Sequence, residues 1–180
     1  MHVCPWWFCY SFDNPLRRLF HDPALLLAPY VKPGMTAVDI GCGMGYFAIP
    51  LARITGAGGK VIAVDLQQRM LDALVRRASK AGVADRIIPH RCQKENLGVE
   101  GPADFALAFW MAHEVPDKPR FFREILAFLK QGGQLLLVEP KYHVTLGSFE
   151  RTLAVCRKVG FRPLEEPAVA LSRAALMDKG

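Results

Sequence analysis

The spacing in this chain that could do the most chemistry is an aspartate two positions ahead of alternating glycines: Val38-Asp39-Ile-Gly41-Cys42-Gly43-Met-Gly45. Glycine accepts left-handed backbone and carries no Cβ. A loop of this composition therefore turns sharply and lets a ligand lie against main chain. A second acid, Asp65, closes the run Lys60-Val-Ile-Ala-Val-Asp65. At the end of the next strand of a doubly wound sheet, a carboxylate faces such a loop and can accept both hydroxyls of a ribose. The expected chemistry is capture of a ribose-bearing ligand, with Cys42 a small filler whose backbone lies beside it.

Further along, Phe109-Trp110-Met111-Ala-His113-Glu114 ends another apolar run. Ligands sit outside the carboxyl ends of strands in open α/β sheets, so His113 and Glu114 fall where ligands bind. His113 is the candidate general base because its unperturbed pKa lies near neutrality. The alternative is that His-Glu-Val-Pro-Asp117 merely caps a strand and a helix. For Phe109, Trp110 and Met111, pocket lining competes with plain core packing.

His2, Cys4, Cys9 and His21 invite a metal reading, but their spacing fits no standard zinc pattern, so no metal site is expected. Cys42, Cys92 and Cys156 show no spacing that brings them together, although a position near a helix N-terminus could lower the pKa of Cys42. Five scattered cysteines without a C-x-x-C pair suit a reducing compartment, and cytoplasm is the expectation. The N-terminus has neither the basic region nor the cleavage site of a secretory leader.

These residues need elements to hold them. Asn14-Pro15 and Asp22-Pro23 each read as an N-cap followed by proline at the first helical position, the second helix ending at Ala28. Strands are expected over 36–40, 60–65, 87–91, 103–109 and 134–139, with a closing pair over 161–166 and 172–177. Helices are expected over 45–54 with a kink at Pro50, over 67–81 with Met70, Leu71, Leu74, Val75 and Ala78 inward, from Asp117 to Leu129, and from a Ser148 cap to Val159. The alternation predicts an α/β chain. Its form is a Rossmann-like, seven-stranded, mostly parallel sheet with an antiparallel closing strand and helices on both faces. Residues 1–35 are expected to form an N-terminal cap segment and 36–180 the main domain, one compact domain overall. Trp6, Trp7, Phe8, Tyr10 and Phe12 have no clean period, and they are expected to act as a lid that keeps water from the site.

The form Asp39-x-Gly-x-Gly-x-Gly45 resembles the first motif of class I S-adenosylmethionine-dependent methyltransferases. A dinucleotide fingerprint requires glycine where Tyr46 stands. Val-Ile-Ala-Val-Asp65, Glu95-Asn-Leu97, His113-Glu-Val-Pro-Asp117, the stretch Leu129 to Pro140 and Val159-Gly-Phe161 follow in the family's order. Together they look like the small-molecule branch that includes quinone-biosynthesis and arsenite enzymes. The resemblance implies S-adenosylmethionine as donor and S-adenosylhomocysteine as product. It implies a cofactor site of Asp39, Gly41, Cys42, Gly43, Gly45, Asp65, Leu66, Gln93 and Phe109, with Leu66 on the adenine face. Gln93 stands where the family usually offers an Asp to the adenine amino group. Its side-chain carbonyl can accept the same hydrogen without charge assistance. Trp110 and Met111 would line the pocket of the cationic methyl.

At 180 residues, 51% apolar and 22% charged, the chain has the composition of one globular domain with one sizeable core. No apolar run approaches the ~18–20 residues of a membrane span. The net charge of +6 is dispersed, which weighs against a nucleic-acid partner and suits an anionic small substrate equally well. A small-molecule methyl acceptor is the expected partner, and no signal bears on oligomeric state. Three alternatives stand: a nicotinamide-dependent oxidoreductase, disfavoured by Tyr46; a nucleic-acid methyltransferase, disfavoured by the lack of Asn/Asp-Pro-Pro-aromatic at 109–114; and a non-catalytic cofactor-binding module.

Overall fold

A computed structural model describes residues 20–180. The expectations for Trp6, Trp7, Tyr10, the Asn14-Pro15 helix, and His2, Cys4 and Cys9 lie outside the described residues. The first helix described, α1 (Pro23–Leu27), starts as its sequence requires. The Asp22 carboxylate accepts from the N–H groups of Ala24 and Leu25, and Pro23 occupies a position whose N–H has no intrahelical partner.

Next in chain order come β1 (Thr36–Ile40), α2 (Ala48–Thr55), β2 (Lys60–Asp65), α3 (Gln68–Lys80), β3 (Ile87–Arg91) and β4 (Ala103–Phe109). They are followed by α4 (Lys118–Phe128), β5 (Leu129–Pro140), α5 (Leu146–Val159), β6 (Phe161–Glu165) and β7 (Ser172–Lys179). One seven-stranded sheet runs β3-β2-β1-β4-β5-β7-β6. The first five strands in that order pair in parallel, and β7 runs antiparallel between β5 and β6. The expected α/β architecture with its antiparallel closing strand is therefore the one found.

The β5 triplet Leu135-Leu136-Leu137 explains why the helices occupy both faces. Successive strand side chains point to opposite sides. Leu136 joins the core containing Leu51, Leu71 and Leu74, while Leu135 and Leu137 join the core containing Phe122, Ile125 and Leu153. α1, α2 and α3 thus cover one face, and α4 and α5 the other. Each fully buried leucine contributes on the order of 1.5–3 kcal/mol, which holds both layers to the sheet. β1 and β4 are neighbours although β2 and β3 lie between them in sequence, and this reversal opens a crevice at the carboxyl ends of both.

Four local expectations change. The helix after the glycine loop begins at Ala48 rather than Gly45, so Pro50 lies in its first turn, where a missing N–H breaks no intrahelical bond. Val75 is 42% exposed, because the buried stripe of α3 is Met70, Leu71, Ala73, Leu74 and Ala78 and Val75 falls just beyond it. Thr145, not Ser148, caps α5, its side chain accepting from the Ser148 N–H. Finally, β5 starts at Leu129. Pairing slips between Leu129 opposite Ala103 and Gln134 opposite Phe105, which loops out the Gln131-Gly-Gly133 turn.

Candidate functional site

The carboxyl ends of β1, β2 and β4 surround a cavity of about 450 Å³. Asp39, Gly41, Cys42, Gly43, Asp65, Leu66, Gln93, Phe109, Trp110, Met111 and His113 all line it. Among the described residues, those assigned to the site from sequence therefore converge, with one exception. Gly45 is absent from the lining, and a Cβ there would stand 2.3 Å from Leu74 Cδ1. The third glycine lets α3 pack against the loop.

The other two glycines serve different ends. Gly41 (φ 74°) meets Met111, whose Cγ would lie 3.1 Å from an added Cβ. Gly43 (φ 52°) has nothing within 4 Å of that position, so only at Gly43 does the missing Cβ leave open space. The Gly43 N–H donates to Asp65 Oδ2 at 2.9 Å, and the Gln67 N–H donates to Oδ1 at 2.9 Å. Each carboxylate oxygen keeps a lone pair for a further donor. Burial pushes the Asp65 carboxyl above its usual range, against the lowering effect of these N–H groups.

Asp39 is buried in β1, at register with Ala63 and Leu107. Leu66 follows Asp65 at the wall. Gln93 is held by a bridge to Asn96, its N–H donating to the Asn96 carbonyl at 2.9 Å. This fixes the short loop after β3 beside the cavity.

Cys42 is only 6% exposed, and burial, with Asp39 and Asp65 nearby, holds its thiol well above the ordinary value. The possible lowering by a helix N-terminus is thus reversed: α2 begins six residues later, and the thiol faces carboxylates instead. Cys92, also at the wall, is pushed up to about 11 by burial.

A second part of the cavity lies beyond β4. Trp110 adopts φ 57°, rare for a bulky residue, and its indole N–H donates to Ser172 Oγ at 2.9 Å. The turn carries the chain away from the carboxyl end of β4. Phe109 is buried with its ring 4.4 Å from that of Phe47. Trp110 meets the edge of Tyr142 at 5.6 Å, and His143 stacks on His113 at 5.7 Å.

His113 stands on a 3-10 turn (Ala112–Glu114) directly after β4. Its Nδ1 lies 2.6 Å from Glu139 Oε2. That hydrogen bond holds the imidazole above its ordinary pKa, with Glu114 acting in the same sense and burial and Lys118 opposing. Glu139 was missed in the sequence reading. The signal was available: like Asp65, it is an acid ending a buried apolar strand.

His21 is buried, its Nε2 2.7 Å from the Ala170 carbonyl, and its ring meets those of Phe109 and Trp110 edge-on at 5.3 and 5.1 Å. Tyr46, at the position where a dinucleotide loop needs glycine, donates its hydroxyl to the His21 carbonyl at 2.7 Å. Among the described residues, no group of three or more His, Cys, Asp or Glu could hold a metal ion.

Residues 37–133 match the family model described as methyltransferase domain. The chain is 32% identical over 139 residues to the ribosomal protein L11 methyltransferase of Pelotomaculum thermopropionicum, covering 74% of this chain and 42% of that protein. It is 26% identical over 117 residues to a demethylmenaquinone methyltransferase of Bacillus cereus, covering 65% and 49%. The chain thus spans less than half the length of these curated relatives. In fold it resembles a SAM-dependent methyltransferase from Aquifex aeolicus, with a TM-score of 0.88 at 21% identity, over 99% of this chain and all of that one.

Proposed function

This chain belongs to the methyltransferase domain family, and from that premise we propose that it moves a methyl group from S-adenosylmethionine to a small-molecule acceptor. The observation that carries the reading is the open space at Gly43 beside the Asp65 carboxylate. An amino-acid and ribose moiety fits a loop with no Cβ in its path, and Asp65 accepts from the ribose hydroxyls. Gln93 and Leu66 take the adenine, while Asp39, Gly41, Cys42 and Phe109 complete the wall. The bound donor supplies an electrophilic methyl on a sulfonium. The protein's own part is to align the acceptor and exclude water, which accounts for most of the rate expected of such a site.

The N-terminal segment is part of this reading. His21 and Tyr46 anchor the chain against Phe109 and Trp110 at the cavity wall. His21 itself therefore stands beside the cavity, and this position supports a lid role for the segment with Trp6, Trp7 and Tyr10. The setting is cytoplasmic and reducing, consistent with the free thiols of Cys42, Cys92 and Cys156. Among the described residues no helix is long and apolar enough to cross a membrane.

A macromolecular acceptor is the second reading, favoured by the likeness to a ribosomal protein L11 methyltransferase. Calorimetric titration with S-adenosylmethionine tests the donor. A screen for S-adenosylhomocysteine release, with small acceptors in one arm and ribosomal protein L11 in the other, tests the acceptor. Release only in the protein arm would replace the small-molecule reading.

A further inference from the structure

Glu139 is 2% exposed, stands one residue before the end of β5, and lies outside the cavity lining, yet its carboxylate meets His113 at 2.6 Å. Burying a carboxylate is costly unless it is paired, and a histidine that only caps a turn does not need one behind it. Among the described residues, Glu139 Oε1 is buried without a hydrogen-bond partner, so Oε2 and His113 carry its only described pairing. Such a carboxylate orients an imidazole with Nδ1–H towards itself and leaves Nε2 basic. His143 stacks on this imidazole, and a row of rings continues along the cavity wall, His143 against Tyr142 and Tyr142 against Trp110. Tyr142 is 58% exposed, an apolar ring held at the mouth rather than in the core.

We propose that the acceptor is an aromatic ring bearing an ionisable hydroxyl, seated among Trp110, Tyr142 and His143, with His113 as the base for that hydroxyl and Glu139 as the residue that positions His113. This rests on the methyl-transfer reading above. The acceptor hydroxyl passes its proton to His113 Nε2. The oxygen lone pair forms the new O–CH3 bond, the S–CH3 bond breaks with its electron pair left on sulfur as S-adenosylhomocysteine, and the proton leaves to solvent. A phenolic hydroxyl ionises near ~10 and is a poor nucleophile at neutral pH without a base. A thiol near ~8.5 ionises far more readily, and neutral amines and arsenite attack through a lone pair they already hold. A positioned base therefore selects for the hydroxyl, and the rings select for an aromatic partner, each edge or stacked contact contributing about 0.5–1.5 kcal/mol.

The charged and titratable groups facing His113 are Glu139 on β5, Glu114 on its own turn, Lys118 at the start of α4 and His143 after β5. Their sum favours the imidazolium, so turnover should rise with pH as His113 deprotonates, at a midpoint above its ordinary value.

The test uses the full chain with S-adenosylmethionine bearing a 13C methyl group. Phenol, 4-hydroxybenzoate and 4-nitrophenol form one panel; aniline, thiophenol and arsenite form the other. Methyl transfer to phenolic oxygen is expected. His113→Ala should cut turnover of phenol by about 10²–10⁴. It should cut that of 4-nitrophenol, already largely ionised at pH 8, far less. Glu139→Gln should lower kcat with KM changed less than about twofold and move the pH midpoint down. Glu139→Asp, kept in case the glutamine variant does not fold, should move it part of the way. NMR titration of 13C-labelled histidine reads the same shift without turnover.

Methylation confined to the second panel, transfer to a ring carbon, or no transfer at all with the donor bound would overturn the assignment. So would an unmoved His113 midpoint in the Glu139 variants. Failure to bind S-adenosylmethionine would instead remove the methyl-transfer reading on which it rests.

Discussion

The Gly43 N–H donates to Asp65 Oδ2 at 2.9 Å, which joins the glycine loop and the end of β2 into one unit. The two halves of the proposed cofactor site are thus set relative to each other by a hydrogen bond rather than left to a ligand. Asp65 also holds the start of the segment after β2 through Gln67, so one carboxylate organises two backbone turns.

Asp65→Ala should therefore weaken S-adenosylmethionine binding strongly. Two charge-assisted hydrogen bonds to a ribose are each worth about 1.5–3 kcal/mol, roughly tenfold or more apiece. Affinity should also fall in acid. The carboxyl is raised by burial above 3.8, so the ionised acceptor is lost as pH drops through that raised value. Calorimetric titration of the variant, and of the wild type across pH, checks both. Affinity within about twofold of wild type in Asp65→Ala would refute the assignment.

The glycines separate fold from ligand. Gly45→Ala meets Leu74 and holds φ 88°, so it should cost about 2–4 kcal/mol of stability. Gly43→Ala meets nothing and should cost only about 1–2 kcal/mol from its φ. Gly43→Val should remove cofactor binding from a protein that still folds. Urea denaturation midpoints measure the first two, and titration of the folded valine variant measures the third.

The described thiols should be poor nucleophiles. Burial pushes Cys92 up to about 11 and Cys156 to about 12, and raises Cys42 as well. Iodoacetamide at neutral pH should label these positions slowly in the native protein and quickly in urea. Peptide mapping by mass spectrometry gives the site-by-site rates, and fast native labelling of Cys42 would contradict its burial.

The His113–Glu139 pair should leave a signature in stability. The folded pKa of His113 is raised, so the pair's contribution is fully present below the unfolded value and is lost as pH rises through the folded one. The melting-temperature difference between wild type and Glu139→Gln should shrink over that window. Thermal scans at several pH values on either side of 6.5 check this.

Deletion of residues 1–12 should leave a folded chain that binds S-adenosylmethionine and has lost methyl transfer. His21 and Tyr46 would keep the anchor at Phe109 and Trp110 intact in such a variant. Circular dichroism, calorimetry and turnover on the truncated protein separate the outcomes. Full activity would rule out a lid, and loss of folding would show that these aromatics serve the core.

Much of the frame was legible because its signals are local. Strand period, proline and glycine at helix ends, and an acid closing each apolar run are properties of neighbouring residues. They located β1 to β4 and put Asp39, Gly41, Gly43 and Asp65 at one crevice. What the chain alone could not reveal depends on residues far apart in sequence. Gly45 reads as a ligand glycine until α3 brings Leu74 against it, and Cys42 reads as a helix-start thiol until the helix begins at Ala48. The clearest case is Glu139. The parallel pairing of Phe109 with Val138 sets the ends of β4 and β5 side by side, and only that register brings the carboxylate to His113. Local sequence determines which elements form and where they stop. Which side chains then meet depends on strand order and register, because those follow from burying both faces of the sheet at once.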